Sequence, residues 1–300
     1  MDRTQYKCCR RGANLRRKRR RHRKIRSSVI FSCSIIAVAV FVIVGSRIIT
    51  SGDGRTNKYD VEAGNDIYDN ADIENTKISE KNKIQNNQSM LDDIMNSTQY
   101  PKQLQELALK NEEALEFVYD YPTGHVKEHT IDLTEEASMD SVPLFVQWDK
   151  RWGYEKYSGN FFAASGCGPT TLSMVVVYLT HNRDASPLAV AKYSKEAGYS
   201  VDGSGSSWTL ISEGCRHYGV KAKTVALDES RMKAELDAGH PIVINVGPGD
   251  FTDTGHFMVI TGYDDEGFSI NDPNSIEKSG KRWLFKNISS QIRAVWSMYV

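Results

Sequence analysis

The run SSVIFSCSIIAVAVFVIVGS, Ser27–Ser46, carries no charged residue. At a 1.5 Å rise, about 20 helical residues span the ~30 Å hydrocarbon core of a bilayer. No amphipathic pattern interrupts the run, so it does not read as one face of a core helix. A segment of this kind divides the chain, because the residues on its two sides cannot share one core.

The charges fall on either side of this division. The chain has 38 Lys and Arg and 38 Asp and Glu. Met1–Arg26 holds 13 of the bases and one acid, Asp2; with Arg47 set aside as well, the remainder has 24 bases against 37 acids. Lys and Arg before the apolar run predict a cytoplasmic N-terminus and an extracytoplasmic C-terminal part. The reading is therefore a single-span cell-membrane protein, with a secreted product of signal-peptide cleavage near Val44-Gly45-Ser46 as the alternative. Beside a membrane span, RRKRRRHRK (Arg16–Lys24) is expected to meet anionic lipid rather than nucleic acid. Only Cys167 and Cys215 lie beyond the span, and no Cys-x-x-Cys spacing is present. Neither a disulfide framework nor a zinc site is indicated.

The expected organisation is a basic tail over 1–26, a transmembrane helix over 27–48 and a flexible polar stalk over 49–95. A helical extension over 96–140 and a main domain over 141–300 complete it. The stalk, rich in Asn, Asp, Glu and Lys, offers too little apolar surface to offset the entropy of ordering it. In Tyr100–Pro122, the residues Leu104, Leu107, Ala108, Leu115 and Val118 recur at helical spacing. Helices are also predicted over Pro169–Leu179, Ser186–Gly198, Ser206–Gly219 and Asp228–Gly239, each of the last three closed by glycine. Strands are predicted at Pro241–Gly247, His256–Tyr263 and Gly267–Asp272, the last two joined as a hairpin. Helices first and strands afterwards predict an α+β fold with an antiparallel sheet.

The chemistry centres on SGCGPTTLSM. Pro169 belongs in a first helical turn and so sets Cys167 at a helix N-terminus, where free N–H groups favour a thiolate. Gly166 and Gly168 are expected to leave space for a substrate. A thiolate nucleophile needs a base and an orienting group. His256 opens a strongly apolar strand, and the hairpin can bring Asp272 to its ring, in a register that the sequence does not fix and with a bulge if that register needs one; Asn271 is the alternative orienter. Gln147, in VQWDKRWG, offers an amide to an oxyanion. Ser207 and Trp208, in GSGSSW, are expected to line the cleft, as is Gly255 before His256. Trp148 and Trp152 read as packing aromatics and Cys215 as a buried structural thiol.

Gln147, Cys167, His256 and Asp272, in that order and in those motifs, resemble the papain-like cysteine peptidases of the bacteriocin-leader-processing family. The likeness is to stand-alone, membrane-anchored or secreted relatives in Gram-positive bacteria, and it covers about Tyr100–Val300. It implies a papain-like fold with a Cys–His–Asp triad and a Gln oxyanion donor, no metal or organic cofactor, and a peptide or protein substrate at the cell surface. A transamidase or cell-wall peptide amidase with the same triad, or an inactive binding module of the same fold, is the alternative.

Overall fold

The computed structural model describes residues 70–300. The basic tail, the apolar run and residues 49–69 of the expected stalk lie outside the described residues. Among the described residues no helix is long and apolar enough to cross a membrane.

The framework is a six-stranded sheet of β1 (Lys221–Thr224), β2 (Ile242–Val246), β3 (His256–Asp264), β4 (Gly267–Asn271), β5 (Arg282–Trp283) and β6 (Ile292–Tyr299). The strands lie in the order β1-β6-β2-β3-β4-β5, and every neighbouring pair is antiparallel. β2 reads as continuous apolar sequence around Asn245 because both sheet faces are covered. On one face lies the helix Cys167–Thr180, with Leu172, Val175 and Val176 buried against Val243, Phe257, Val259 and Trp296. On the other, Met232 of the helix Glu229–Asp237 joins Ile242, Ile244, Met258, Ile260 and Ile270. Each such side chain contributes about 1.5–3 kcal/mol on burial. The two layers hold β3, and hence His256 at its start, in place.

β3 and β4 form the expected hairpin, with Asp264 opposite Gly267 and Val259 opposite Asn271. The register shifts between Ile260 and Gly262, leaving Thr261 as an extra residue on β3. A bulge of this kind bends the strand that carries it.

The described helices and strands differ from the sequence reading in several places. The polar stretch read as a stalk is helical over Asn70–Asn96, and Met90 and Ile94 are buried against Leu104, Leu107, Leu115 and Val118. With the partly buried Leu91, these side chains dock its last turns. The helix expected over Tyr100–Pro122 is Lys102–Lys110 followed by shorter turns, because Asn111 is extended (φ −137°, ψ 99°) and its side chain accepts from the Glu113 N–H. The helix expected over Ser206–Gly219 breaks at Glu213 (φ −128°, ψ −46°), and its second half is a 3-10 turn ended by Gly219 at φ 77°. β1, β5 and β6 have no counterpart in the sequence reading.

Candidate active site

Cys167 is the first residue of the helix Cys167–Thr180, and its side chain is half-buried. The first N–H groups of a helix have no intrahelical acceptor. Those of Cys167 and Gly168 therefore open the helix with donors to spare, and the Gly168 N–H is among the groups that lower the Cys167 pKa. The flanking glycines do not clear a path for substrate, contrary to the sequence reading. A Cβ on Gly166 would sit 2.5 Å from the Phe162 ring, and one on Gly168 would sit 2.5 Å from Ser206 Oγ. Both hydrogens face protein, and their smallness lets the nucleophile turn pack against its neighbours.

His256 pairs with Val246 at the mouth of β3 and is buried. Its Nε2 lies 2.6 Å from Asp272 Oδ1, and the ring shares a cavity wall with Cys167, whose sulfur acts on its titration. With Nε2 taken by the carboxylate, Nδ1 is the nitrogen left for sulfur. Burial acts to lower the His256 pKa, but the Asp272 charge and hydrogen bond, with the Cys167 sulfur, outweigh it and push the value up to about 10. Burial acts to raise the Cys167 pKa, and the His256 hydrogen bond and charge, helped by the Phe257 and Gly168 N–H groups, outweigh it and lower it. The two shifts favour one state, a thiolate beside an imidazolium.

Asp272 is fully buried just past the end of β4. Its Oδ1 also accepts from Asn274 N–H at 2.8 Å, and its Oδ2 has no partner among the described residues. Asn271 is not the orienter: its side-chain amide donates to the Val142 and Pro143 carbonyls, both at 3.1 Å, and so ties down the segment leading to Gln147. Gln147 is buried, and its backbone N–H donates to Pro273 O at 2.7 Å. Its Nε2 donates to Ala163 O at 2.8 Å, which fixes the amide orientation, since the reverse would oppose two oxygens. One Nε2 hydrogen remains. Gln147 lines a cavity together with Cys167 and His256.

Two cavities meet at Cys167. One, of about 480 Å³, is walled by the helix Lys102–Lys110 through Gln103, Glu106 and Leu107, and by the loop Gly249–Gly255. The other, of about 690 Å³, is lined by Gly203–Ser206, Trp208, Gly247 and Arg293. Gly255 and Asn160 border both. Trp208, 47% exposed, stands in the second. Ser207 does not line either cavity, because its hydroxyl is spent on Thr209; its neighbour Ser206 takes that place. Trp152 is buried and Trp148 half-buried; their indole N–H groups reach the carbonyls of Val146 and Asn274. Cys215 is buried and free, its thiol pushed up to about 11 by burial. The sequence reading missed Asn160 and Arg293, and in the wall it missed Gln103, Glu106, Lys110 and Asn111, polar residues whose place depends on chain crossings that no local pattern encodes.

A model of the Peptidase_C39 like family matches residues 139–300. The chain belongs to that family. Two solved structures are similar to it. The peptidase domain of Streptococcus ComA, a bi-functional ABC transporter involved in a quorum sensing pathway, is 18% identical; the match covers 53% of this chain and 96% of that one, with a TM-score of 0.39. A C39-like peptidase from Bacillus anthracis is also 18% identical, with 53% and 95% covered and a TM-score of 0.33. No curated protein matches the sequence. The family membership agrees with the resemblance carried by the four motifs.

Proposed function

We propose that this chain is a membrane-anchored cysteine peptidase with an extracytoplasmic catalytic domain. The observation that carries the reading is the His256–Asp272 pair, with Nε2 at 2.6 Å from the carboxylate, on the cavity that Cys167 and Gln147 also line. In the proposed reaction the Cys167 thiolate attacks the carbonyl carbon of a peptide or protein substrate lying across the two cavities. The carbonyl electron pair moves onto oxygen, which Gln147 Nε2–H and the Cys167 N–H receive. The imidazolium of His256 gives its proton to the amine as the C–N bond breaks, leaving a thioester on Cys167. His256, now neutral, takes a proton from water as the water attacks the thioester. The acid leaves, and thiolate and imidazolium are restored. Asp272 holds the ring and its charge throughout. Arg16–Lys24 lie against anionic lipid on the cytoplasmic side in this reading.

Cys167 labelling by iodoacetamide tests it, with the full chain in detergent and the Cys167 peptide followed by mass spectrometry. Fast labelling below the usual thiol range is expected, and it should vanish in His256→Ala. An ordinary thiol titration, indifferent to His256, would sink the reading.

A further inference from the structure

The carboxylate that orients His256 is itself held by little. Among the described residues Asp272 Oδ2 has no partner, and apart from His256 the only donor to Oδ1 is the Asn274 N–H, at 2.8 Å. The aim of the carboxylate therefore depends on the turn Asp272–Ser275, closed by Ser275 N–H donating to Asp272 O at 3.1 Å. That turn is gripped from outside by a segment far earlier in the chain. Glu113 accepts from the Ser275 hydroxyl, from Ile276 N–H at 2.7 Å and from Glu277 N–H at 3.1 Å. Next to it, Asn111 donates to Asn274 O at 2.8 Å. Both residues lie before residue 139, where the family match begins. The break in the helix at Asn111 is what brings them to the turn. Without it, Glu113 would continue the helical path of Lys102–Lys110.

We propose that Glu113 is a positioning residue of the active site, acting through the Asp272–Ser275 turn on the His256–Asp272 pair, and that the N-terminal extension is thereby a working part of the catalytic unit. The inference rests on the proposed Cys–His–Asp reading. Three hydrogen bonds to one carboxylate fix the start of the turn's following helix, and charge-assisted bonds of this kind are about twice as strong as neutral ones. When the turn loosens, Asn274 N–H drifts, the carboxylate swings toward its unpartnered side, and the imidazolium loses its counter-charge. The charged groups facing His256 are Asp272 and Cys167, so a change in the pair registers directly in the thiol.

The test is the pH profile of Cys167 alkylation in the full chain, comparing wild type, Glu113→Ala and Glu113→Gln, with thermal unfolding measured beside it. Glu113→Ala is expected to move the acid limb upward by about one pH unit. Glu113→Gln, which keeps one oxygen for the two backbone N–H groups, is expected to restore most of the wild-type limb. A role confined to stability would lower the melting temperature and leave the limb in place. If Glu113→Ala does not fold, Glu113→Gln carries the test through a smaller upward shift. An unmoved limb in every folded Glu113 variant overturns the inference and leaves the triad standing. A wild-type limb already at the ordinary thiol position overturns the triad reading, and this inference with it.

Discussion

Replacing Asp272 with Asn removes a charge and almost no volume, so it isolates what the carboxylate does to His256. The imidazole is held at about 10 against an ordinary 6.5. That rise of about 3.5 pH units corresponds to about 5 kcal/mol in favour of the imidazolium, at ~1.36 kcal/mol per unit. Burial opposes it, and the Asp272 charge and hydrogen bond raise it more than Cys167 does. The amide of Asp272→Asn would keep an oxygen near Nε2 but leave His256 buried without its counter-charge, so its pKa is expected to fall to or below the ordinary value. Cys167 then loses the cation that lowers it, and its thiolate fraction at neutral pH drops about tenfold for each unit its pKa climbs. The assay compares Cys167 alkylation by anionic iodoacetate and by neutral iodoacetamide across pH, since only the anion is drawn in by an imidazolium. In wild type the ratio should stay high until the pH nears 10, whereas in Asp272→Asn it should collapse near or below neutrality. Stability follows the same linkage: a raised His pKa contributes fully below about 6.5 and is lost as pH rises through about 10. The variant is expected to be less stable by about 3 kcal/mol at neutral pH, a gap that narrows as the wild type passes its own imidazole titration. Superimposable ratio profiles would refute the reasoning.

Three further outcomes are expected. Gly168→Ala forces a Cβ to within 2.5 Å of Ser206 Oγ, whose hydroxyl is bonded to Tyr157 at 2.6 Å; chemical denaturation should show a loss of about 1–3 kcal/mol, and Cys167 labelling should slow. Gln147→Ala should leave the alkylation profile in place and lower turnover of a cleaved peptide by about 10²–10³-fold, since its amide acts only once an oxyanion forms; equal damage to both would contradict that role. Ile94→Ala, at a fully buried position, should cost about 2–5 kcal/mol in urea unfolding if the helix Asn70–Asn96 is docked as described, and close to nothing if it is not.

The hairpin and the nucleophile turn are legible in the sequence because both are local. Pro169 two residues after Cys167 marks a helix start, and the apolar run of β3 followed by an acidic turn with Gly267 marks a hairpin. The interior strand β6, second from the edge, is not legible. Arg293 falls where β6 shifts register against β2, and both faces of the strand are buried further along, so the two-residue alternation never appears. The helix Asn70–Asn96 is hidden for the opposite reason, since its polar composition is that of a disordered segment and among its described side chains Met90, Leu91 and Ile94 reveal a docked end. Gly166 and Gly168 show how one pattern serves two physical causes: small residues beside a cysteine signal close approach, and here the approaching groups are Phe162 and Ser206. The grip of Glu113 on the Asp272 turn spans 162 residues to Ser275, and no window of sequence contains both ends.

The extra residue Thr261 settles a question of parity. Opposed residues in an antiparallel pair share a face, and alternate residues along a strand do so too. With the observed pairing of Val259 and Asn271, continuing the ladder sets Asp272 opposite Met258, on the face that His256 shares with Met258. Had the pairing set at the turn, Asp264 with Gly267, run on unshifted, Asp272 would oppose Val259 and point through the sheet, away from the imidazole. A single odd residue thus decides whether the acid and the base meet. Any insertion or deletion within the paired residues of the two strands must come in even steps, or be matched across the hairpin, to keep them on one side.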